Sequence, residues 1–310
     1  MPKITVVIPL YNKANFIKET LQSVYAQNFT DYEVVVINDG STDGSEHHVL
    51  SLKNEKTKLI NQANNGLSNA RNTGIEHALG SVICLIDADD IWLPNHLQKI
   101  ANLIDSYPEA QLYGTAYSEL LPNGLLIKPK TNTGFKTTTL LIEDFFITSA
   151  QQPFITPSSF GFKKEIIRTI GGFDPTITYA EDTDFFIRAN LNYKLAFDAT
   201  TTCHYRYESE NQITRSKLSF KKQPDYAKYL LENAGNYSLK RFINLNYYYL
   251  CNSYKAERAT EAFIAMRKNV DTNFLNNKQR FLLNAPPAML NSIRYFKQKM
   301  LFKGKRLTSF

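Results

Sequence analysis

Three short apolar runs rich in β-branched residues lie near the N-terminus, and they constrain the fold more than any other feature of the chain. They are Ile4–Leu10, Glu33–Ile37 and Ser81–Ile86. Continuous runs of this length are typical of strands buried on both faces, as the strands of parallel sheets are. Such a sheet needs a layer of helices on each face, so the runs predict an α/β protein.

Segments with helical spacing separate these runs. We predict helices over Asn15–Gln27, about Gly44–Leu52 and around Leu67–Ala78, and a short additional strand near Lys58–Asn61. The alternation of strand and helix predicts a parallel sheet with right-handed crossovers. Ligands of such sheets bind outside the carboxyl ends of the strands. We therefore expect a site in the loops that follow the three apolar runs.

The loop after the third run is acidic, with Asp87, Asp89 and Asp90 in close succession. Carboxylates so close together repel one another unless they are solvated or bind a cation. A hard divalent ion, Mg²⁺ or Mn²⁺, would relieve that repulsion and hold a substrate phosphate at the same time. A solvated acidic turn without a ligand is the alternative.

The loop after the second run contains Asp39 and Asp43. Asp43 stands just before a predicted helix, which favours an Asx turn or a helix N-cap. We therefore expect Asp39 to be free to accept a hydrogen bond from a nucleobase or a ribose hydroxyl. Turn chemistry is the competing interpretation.

The segment Asn64–Asn72 places Gly66 and small residues at the start of a predicted helix. Such a start suits an anion because the first backbone N–H groups have no partner within the helix. Arg71 lies one turn further on, within reach of a diphosphate. Taken in isolation, Arg71 would be a solvated surface residue.

In this order, these segments resemble a known family. VVIPLYNK, VINDGSTDGS, NNGLSNARNTGI and LIDADD resemble the donor-binding half of family 2 glycosyltransferases. Gly171–Asp174 is similar to the GGFD element of that family, and Ala180–Asp184 to its acidic catalytic motif. The resemblance covers about residues 3–215. It implies a GT-A fold, which is a Rossmann-like, mostly parallel sheet flanked by helices.

The resemblance implies inverting transfer of a sugar from a nucleoside-diphosphate donor, usually a UDP-sugar. By that resemblance Asp39 contacts the nucleobase, Arg71 lies near the diphosphate, and Asp87 meets the ribose or the donor sugar. Asp89 would coordinate the Mn²⁺ or Mg²⁺ that bridges the two phosphates. The predicted donor-binding set is Pro9, Tyr11, Asn12, Asp39, Asn65, Gly66, Arg71, Asp87, Ala88 and Asp89.

The same resemblance predicts a catalytic base in the acidic motif. A sugar hydroxyl must lose its proton as it attacks, and a positioned carboxylate can accept that proton. We assign this role to Asp182, with Glu181 as a neighbour whose charge raises the pKa of Asp182. The alternative is that both residues only favour the positive N-terminal end of a helix, as we expect Asp184 to do.

One departure from the family concerns the metal. Many relatives have a Tyr-Arg-x-His element, but here Tyr205-Arg206-Tyr207 is followed by Glu208. His204 precedes the pair, on the predicted strand face that also carries Arg206 and Glu208. We retain His204 as a candidate metal ligand beside Asp87 and Asp89, and a hydrogen-bonded strand histidine is the competing interpretation. The remaining histidines lie in segments typical of helix surfaces: His47, His48, His77 and His96.

Charge divides the chain near residue 217. Residues 217–310 hold 18 Lys and Arg against 5 Asp and Glu, a formal charge of +13, whereas residues 1–216 carry −6. We predict a catalytic domain over 1–216, with a donor half over 1–110 and an acceptor and catalytic-base half over 111–216. A basic, mainly helical extension follows over 217–310.

The extension suits more than one partner. Met289, Ile293, Phe296 and Met300 fall at helical spacing among basic residues, which is typical of an amphipathic helix on an anionic membrane. A helical subdomain packed on the catalytic domain, or on a second copy of the chain as a homo-oligomer, is the alternative. Nucleic acid is not an expected partner, because the extension has no recognisable reading motif.

Sequence features also bear on location. Cys84, Cys203 and Cys251 are too few and too scattered for a disulfide framework or a cysteine-based zinc site, which fits a reducing compartment. The N-terminal apolar run is interrupted by Pro9 and is unlike a signal peptide. No apolar stretch approaches the roughly 20 residues of a spanning helix. We expect a cytoplasmic protein that is at most peripheral on the inner face of the membrane.

These observations lead to one principal hypothesis and one alternative. The principal hypothesis is a metal-dependent inverting glycosyltransferase that moves a sugar, from a UDP-sugar in the first instance, to a hydroxyl of a glycan or lipid-linked acceptor in surface polysaccharide synthesis. The alternative is a non-catalytic sugar-nucleotide-binding or scaffold protein of the same fold.

Overall fold

The computed structural model describes residues 1–131, 135, 137–210, 212 and 217–308. Within these residues it contains a sheet of ten strands with helices on both faces, which confirms the predicted α/β class. In chain order the strands are β1 (Ile4–Leu10), β2 (Tyr32–Asp39), β3 (Thr57–Gln62), β4 (Val82–Leu85), β5 (Ile91–Trp92), β6 (Leu112–Leu120), β7 (Leu126–Ile127), β8 (Thr139–Leu141), β9 (Phe160–Lys163) and β10 (Leu195–Arg206).

The helices that flank and extend the sheet follow the predicted spacing in its first half. In chain order they are α1 (Ile17–Tyr25), α2 (Ser45–Leu52), α3 (Leu67–His77), α4 (His96–Ser106), α5 (Phe145–Thr148), α6 (Ile167–Ile170), α7 (Glu181–Asn192), α8 (Tyr226–Glu232), α9 (Tyr237–Ala256), α10 (Thr260–Arg267), α11 (Asn277–Asn284) and α12 (Pro287–Leu301). Short 3₁₀ turns cover Pro157–Ser159, Lys164–Ile166, Leu218–Phe220 and Thr272–Phe274.

The strand order explains where a ligand can enter. Along the sheet the order is β3-β2-β1-β4-β9-β6-β10-β5, with β7 paired to β6 and β8 paired to β10. Strands β1 to β4 run parallel, and so do β6 and β10, whereas β9 is antiparallel to both of its neighbours. After β1 the chain forms β2 and β3 on one side of this strand, and it then forms β4 on the other side. A crevice therefore opens beyond the carboxyl ends of β1 and β4.

Helix α3 lies unusually close to the sheet. Every residue of β1 is buried, and a Cβ atom added to Gly74 would stand 2.3 Å from Cγ1 of Val7. Because glycine has no side chain, the helix can rest directly on the strand. This contact fixes Arg71, about one turn earlier in α3, above the crevice.

The C-terminal region packs on the rest of the chain. Helix α9 contributes Leu239, Ile243 and Cys251 to the same cluster of buried apolar side chains that contains Phe160 and Phe185. This packing agrees with the alternative in which the extension is a helical subdomain packed on the catalytic domain. The division near residue 217 stays a prediction, and residues 213–216 beside it lie outside the described residues.

The expectation that His96 lies on a helix surface is wrong. His96 is fully buried at the start of α4, its ring stacks on Trp92 with centroids 4.2 Å apart, and its Nδ1 lies 2.7 Å from Oγ1 of Thr202. Burial lowers the pKa of His96 to about 3, so the ring is neutral. The spacing of residues along a helix does not indicate that the first turn of α4 packs against the sheet.

Across the described ranges, each helix is either too short or too polar to cross a bilayer.

Candidate active site

A cleft of about 960 Å³ lies at the carboxyl ends of β1 and β4. It is lined by residues from widely separated parts of the chain, which only the fold brings together. Ten predicted site residues line it: Pro9, Tyr11, Asp39, Gly66, Arg71, Asp87, Ala88, Asp89, Glu181 and Asp182.

Asp39 is buried at the end of β2 and anchors the loop that leads into α3. Its Oδ1 accepts hydrogen bonds from Nε2 of Gln62 at 2.7 Å and from the backbone N–H of Asn65 at 2.9 Å. Its Oδ2 accepts from the N–H of Gly66 at 2.9 Å. The turn at Gly66, with φ of 88°, points two backbone donors at the carboxylate. Both oxygens of Asp39 thus already have protein partners, and a contact of this cleft-lining residue with a nucleobase or a ribose hydroxyl stays a prediction.

Arg71 joins the two halves of the cleft. Its Nη2 donates to Oδ1 of Asp87 at 2.9 Å and its Nη1 donates to Oε1 of Glu181 at 2.8 Å. The side chain is 1% exposed, so the expectation for an isolated arginine, a solvated surface position, does not hold. Burial alone would lower the pKa of this guanidinium, and the charges of Asp87 and Glu181 outweigh that and raise it. Arg71 is a permanent cation between two carboxylates.

The GGFD element positions this arginine. Asn72 clamps the backbone of Phe173, accepting from its N–H at 2.8 Å and donating to its C=O at 2.7 Å. The Arg71 guanidinium lies 5.1 Å from the centroid of the Phe173 ring, which stacks on Phe185 of α7. A Cβ atom at Gly172 would stand 2.4 Å from Oδ1 of Asn72. Only glycine at this position allows the clamp.

Helix α7 begins with the acidic motif. Ala180, just before it, has φ of 61° and ψ of 34°, the left-handed conformation that alanine rarely adopts. Such strain clusters at functional sites, where surrounding contacts hold it. The chain turns sharply there and delivers Glu181 and Asp182 to the cleft in the first turn of the helix.

Asp182 has the properties of a base. Partial burial, followed by the charge of Glu181, raises its pKa from 3.8 to about 6. Its Oδ1 accepts from the N–H of Thr183 at 2.7 Å. Among the residues that the structure describes, none donates a hydrogen bond to the second oxygen, Oδ2. This oxygen is available for a proton from a ligand.

Asp184 does more than favour the helix terminus. It is buried, and its Oδ2 accepts from Nε and Nη2 of Arg188 at 2.9 and 2.6 Å. Its Oδ1 accepts from the hydroxyl of Tyr229 in α8 at 2.5 Å. The residue expected to act only on the helix dipole therefore ties α7 to the C-terminal region.

The acidic loop after β4 divides its three aspartates between two roles. Asp90 is fully buried and accepts from Oγ of Ser158 at 2.5 Å and from the N–H of Arg206 at 2.8 Å. Burial, followed by the charge of Asp89, raises the pKa of Asp90. Asp90 thus shapes the loop, whereas Asp87 and Asp89 line the cleft.

Asp89 is held by a lysine that sequence reasoning did not single out. Its Oδ2 accepts from Nζ of Lys13 at 2.7 Å and from the hydroxyl of Ser209. Lys13 also donates to the backbone C=O of Glu210 at 2.6 Å. Through these contacts Ser209 and Glu210, just after β10, are held against Lys13 and the acidic loop.

Three predicted site residues do not line the cleft. Asn12 has φ of 50° and its Oδ1 accepts from the N–H of Thr42 at 2.8 Å. Asn65 contributes its backbone N–H to Asp39. His204 lies 2.7 Å, through Nδ1, from the hydroxyl of Ser118, as the competing interpretation expected. These residues shape the loops and the sheet behind the cleft wall.

Comparison with known proteins identifies the family. The model of the family described as glycosyl transferase family 2 matches residues 5–171. The chain belongs to glycosyltransferase family 2.

Sequence comparison with known proteins shows how much of the chain has curated relatives. The chain is 31% identical over 178 residues to an uncharacterized glycosyltransferase of Nostoc sp., covering 56% of this chain and 54% of that protein. It spans about half or less of the length of the first curated relatives that it matches.

Solved structures of similar architecture confirm the GT-A fold. S. aureus TarS 1–349 in complex with UDP-GlcNAc has a TM-score of 0.70 at 18% identity, covering 94% of this chain and 92% of that one. A mannosyltransferase from Pyrobaculum calidifontis, in complex with GDP-Man and Mn²⁺, has a TM-score of 0.57 at 19% identity, covering 96% and 81%. The likeness to TarS extends through the C-terminal helices, because nearly the whole chain is covered.

The residues around the expected divalent metal can be compared with the chemistry that such an ion requires. Within the described ranges, no three His, Cys, Asp or Glu side chains gather as a metal cage. Asp87 and Asp89 nevertheless both line the cleft. Mg²⁺ is commonly held by one or two carboxylates together with substrate phosphates. The donor set therefore fits an ion that arrives with a nucleotide, and His204, engaged with Ser118, is not part of the cleft wall.

Sequence reasoning missed the far wall of the cleft in this family 2 protein. It is lined from α5 by Phe145 and from α9 by Phe242, Leu245 and Tyr249. These residues lie in segments without a recognisable motif, so only the packing of α9 reveals them. Lys13 could have been singled out from the sequence, because it is the last residue of the VVIPLYNK segment.

Proposed function

We propose that this chain is a metal-dependent inverting glycosyltransferase that moves a sugar from a UDP-sugar to a hydroxyl of a glycan or lipid-linked acceptor in surface polysaccharide synthesis. The observation that carries the proposal is the Arg71 bridge. Through it, Asp87 of the donor loop and Glu181 of the acidic motif are held by one buried cation. The residues for donor binding and for proton removal thus share one cleft.

The donor end has the chemistry that a nucleoside diphosphate requires. The loops around Asp39 and Gly66 are rigid because the Asp39 carboxylate fixes their backbone, and this order lowers the entropy cost of binding a nucleotide. TarS, which has a similar fold, was solved with UDP and with UDP-GlcNAc. This likeness favours uridine as the base.

A divalent cation bound with the donor would be held by Asp89 and Asp87, and it would neutralise the charge that develops on the departing diphosphate. Lys13, whose Nζ lies 2.7 Å from Oδ2 of Asp89, would add a further positive charge at the donor end.

Asp182 serves as the base that accepts the proton of the attacking hydroxyl. A base works best when its pKa lies near the working pH, and the pKa of Asp182 is raised to about 6. Arg71 keeps the neighbouring Glu181 in place. Attack from the side of Asp182, opposite the leaving diphosphate, gives inversion at the anomeric carbon.

The far wall of the cleft belongs to the acceptor. Phe242 and Tyr249 of α9 line the same cleft as the donor loops. Aromatic rings suit the apolar faces of sugars, and the Tyr249 hydroxyl can bond to their hydroxyl edges. The C-terminal region is therefore assigned a part in acceptor binding.

The extension also has the features of a membrane-binding surface. Met289, Tyr295 and Phe296 of α12 are exposed, as is Phe281 of α11, on a region of formal charge +13. Exposed aromatic side chains among cations suit the interface of an anionic bilayer. These features support the proposal that the enzyme binds peripherally to the inner face of the cytoplasmic membrane.

A nucleotide-sugar panel tests the proposed activity against the alternative of a non-catalytic binding protein. UDP-, GDP- and dTDP-sugars with Mn²⁺ are offered together with a panel of saccharide acceptors, and both nucleotide release and thermal shift are measured. An enzyme releases nucleotide, and its preferred donor raises the melting temperature only with metal. A donor that stabilises the protein without any release, across all acceptors, would identify the non-catalytic protein.

Two variants locate the chemistry within that assay. Asp182→Asn should lower the rate of sugar transfer by roughly 10²–10⁴-fold, because it removes the base. Nucleotide binding should be unchanged, because the substitution removes no contact to the donor. Asp89→Ala should weaken metal-dependent nucleotide binding. The site assignment fails if Asp182→Asn transfers sugar at the wild-type rate and Asp89→Ala still binds nucleotide with metal.

A further inference from the structure

A second cavity, of about 340 Å³, adjoins the far end of the cleft. The two share Ala150, Gln151 and Leu245 as walls. None of the predicted donor-binding residues lines this side cavity, whose other walls come from α9 and from the segment before and within α11. It therefore lies beyond the acceptor end of the cleft, away from the nucleotide.

One cation faces this side cavity. Arg241 of α9 lines it and is half-buried. Across the described ranges, its guanidinium has neither a hydrogen bond nor an ion pair, and no residue lining the cavity is acidic. An anionic ligand would provide a partner for this cation, since a guanidinium matches the paired oxygens of a phosphate or a carboxylate.

The remaining walls suit a sugar. Tyr237 and Phe274 lie with ring centroids 5.3 Å apart, and Tyr237 is 68% exposed, which offers an apolar ring face beside Arg241. Gln151 and Asn273 also line the cavity, and each side-chain amide can both donate to and accept from hydroxyl groups. The combination of ring face, amides and a single cation matches a charged saccharide better than it matches an inorganic ion.

We propose that the side cavity is a distal acceptor subsite that binds a phosphate or carboxylate group carried by the glycan acceptor. The accepting hydroxyl lies at Asp182 while the anionic group, further along the acceptor, pairs with Arg241. The subsite selects anionic acceptors over neutral ones. This inference rests on the proposed function, because it assigns the acceptor class of the same cleft.

The test is a binding titration with the donor site filled. The chain is first saturated with UDP and Mg²⁺, and this step is measured separately. Glucose 6-phosphate, glucuronate and glucose are then titrated. We expect the two anionic sugars to bind at least tenfold more tightly than glucose, and their relative affinities show whether the phosphate or the carboxylate is preferred.

Variants assign the binding to the side cavity. Arg241→Gln should weaken the anionic sugars at least tenfold and leave glucose unchanged. Arg241→Lys should retain part of the affinity, since it keeps the charge and loses the fork of donors. Lys240→Gln is the matched control, because it removes an equal charge from the neighbouring position, which lines neither cavity, and it should bind as the wild type does.

Several outcomes overturn the inference. They are equal binding of glucose and the anionic sugars, no binding of any probe, or an equal loss in Arg241→Gln and Lys240→Gln. Circular dichroism of each variant shows whether it is folded, and the Arg241→Lys measurement stands if the glutamine variant is not. Failure of the proposed function looks different, because the nucleotide-sugar panel would then show no nucleotide release from any donor, whatever the sugars do in this titration.

Discussion

The hydroxyl of Tyr229 donates a hydrogen bond of 2.5 Å to the buried carboxylate of Asp184. Tyr229 belongs to the C-terminal region, and Asp184 lies two residues after Asp182 on α7. Arg188, which also binds Asp184, donates to the carbonyl of Ile170, just before the GGFD element, and to that of Gly172 within it. One polar network thus holds α7, the GGFD element and the C-terminal region in a fixed arrangement.

The first prediction concerns this network. Tyr229→Phe keeps the ring and removes the hydroxyl, which leaves an oxygen of the buried Asp184 without its donor. Losing such a bond costs about 1–2 kcal/mol of unfolding free energy, measured by urea denaturation. Tyr295→Phe is the control, since Tyr295 is 69% exposed and should show no change. An unchanged stability in Tyr229→Phe would mean that the hydroxyl does not hold α7.

Much of the donor end was predictable because it depends on local sequence. The runs that form β1, β2 and β4 are apolar along their whole length, so their ends are evident, and the carboxyl ends of neighbouring parallel strands must lie together. Asp87 and Asp89 were therefore expected at the site, and both line the cleft.

The parts that were not predictable depend on pairing between distant residues. The contact of Lys13 with Asp89 spans 76 positions, and that of Tyr229 with Asp184 spans 45. A tyrosine in a tyrosine-rich helix gives no sequence signal of its partner. The backbone donors that the turn at Gly66 offers to Asp39 gave no sequence signal either, because they depend on how that turn folds.

The second prediction concerns the pH dependence of transfer. The base must be ionised, so kcat/KM should fall as the pH decreases through about 6, the pKa of Asp182. Glu181→Gln removes a negative charge beside Asp182, which disfavours protonation and lowers this pKa. The acidic limb of the profile should therefore shift to lower pH.

A charge far from the site provides the comparison. Glu261→Gln removes an exposed carboxylate on α10 and should leave the pH profile in place. A limb that stays at about pH 6 in Glu181→Gln, or moves upward, would contradict the assignment of Asp182 as the titrating base.

The third prediction concerns stability. Because the pKa of Asp182 is raised in the fold, its contribution to stability is fully present below its ordinary pKa of 3.8 and is lost as the pH rises through about 6. Asp182→Asn removes the ionised form. The variant should therefore be more stable than the wild type at pH 8, by up to about 3 kcal/mol, and the difference should vanish near pH 4.

Asp184→Asn is the contrasting variant on the same helix. Asp184 is paired with Arg188 and Tyr229, so neutralising it should lower the unfolding free energy at pH 8. Urea denaturation at the two pH values measures both variants. A loss of stability in Asp182→Asn at pH 8 would show that the carboxylate is satisfied in the fold rather than strained.

The fourth prediction concerns the glycine of the GGFD element. Gly172→Ala places a Cβ atom 2.4 Å from Oδ1 of Asn72, which must break its clamp on Phe173. We expect a loss of roughly 1–3 kcal/mol, as for other overpacked sites, together with reduced transfer, since Arg71 rests on the Phe173 ring. Gly235→Ala is the control, because nothing lies within 4 Å of its added Cβ.

The membrane proposal is best tested by substitution rather than by removing α12. That helix buries Leu290 and Leu301, and beyond it Arg306 donates to Glu119, which lines the cleft. Deleting the segment would expose apolar surface and disturb the active site at once. Exposed side chains can be changed without either effect.

Phe296→Ser is such a substitution, because Phe296 is 55% exposed. If α12 inserts its exposed ring into a bilayer, the variant loses the burial of that ring, about 1.5 kcal/mol or roughly tenfold in partitioning. Co-sedimentation with vesicles of phosphatidylserine and phosphatidylcholine measures this. Leu231→Ser on α8, where Leu231 is 81% exposed, should bind as the wild type does. Equal binding of all three proteins would place the contact elsewhere, and binding that persists on pure phosphatidylcholine would remove the role assigned to the +13 charge.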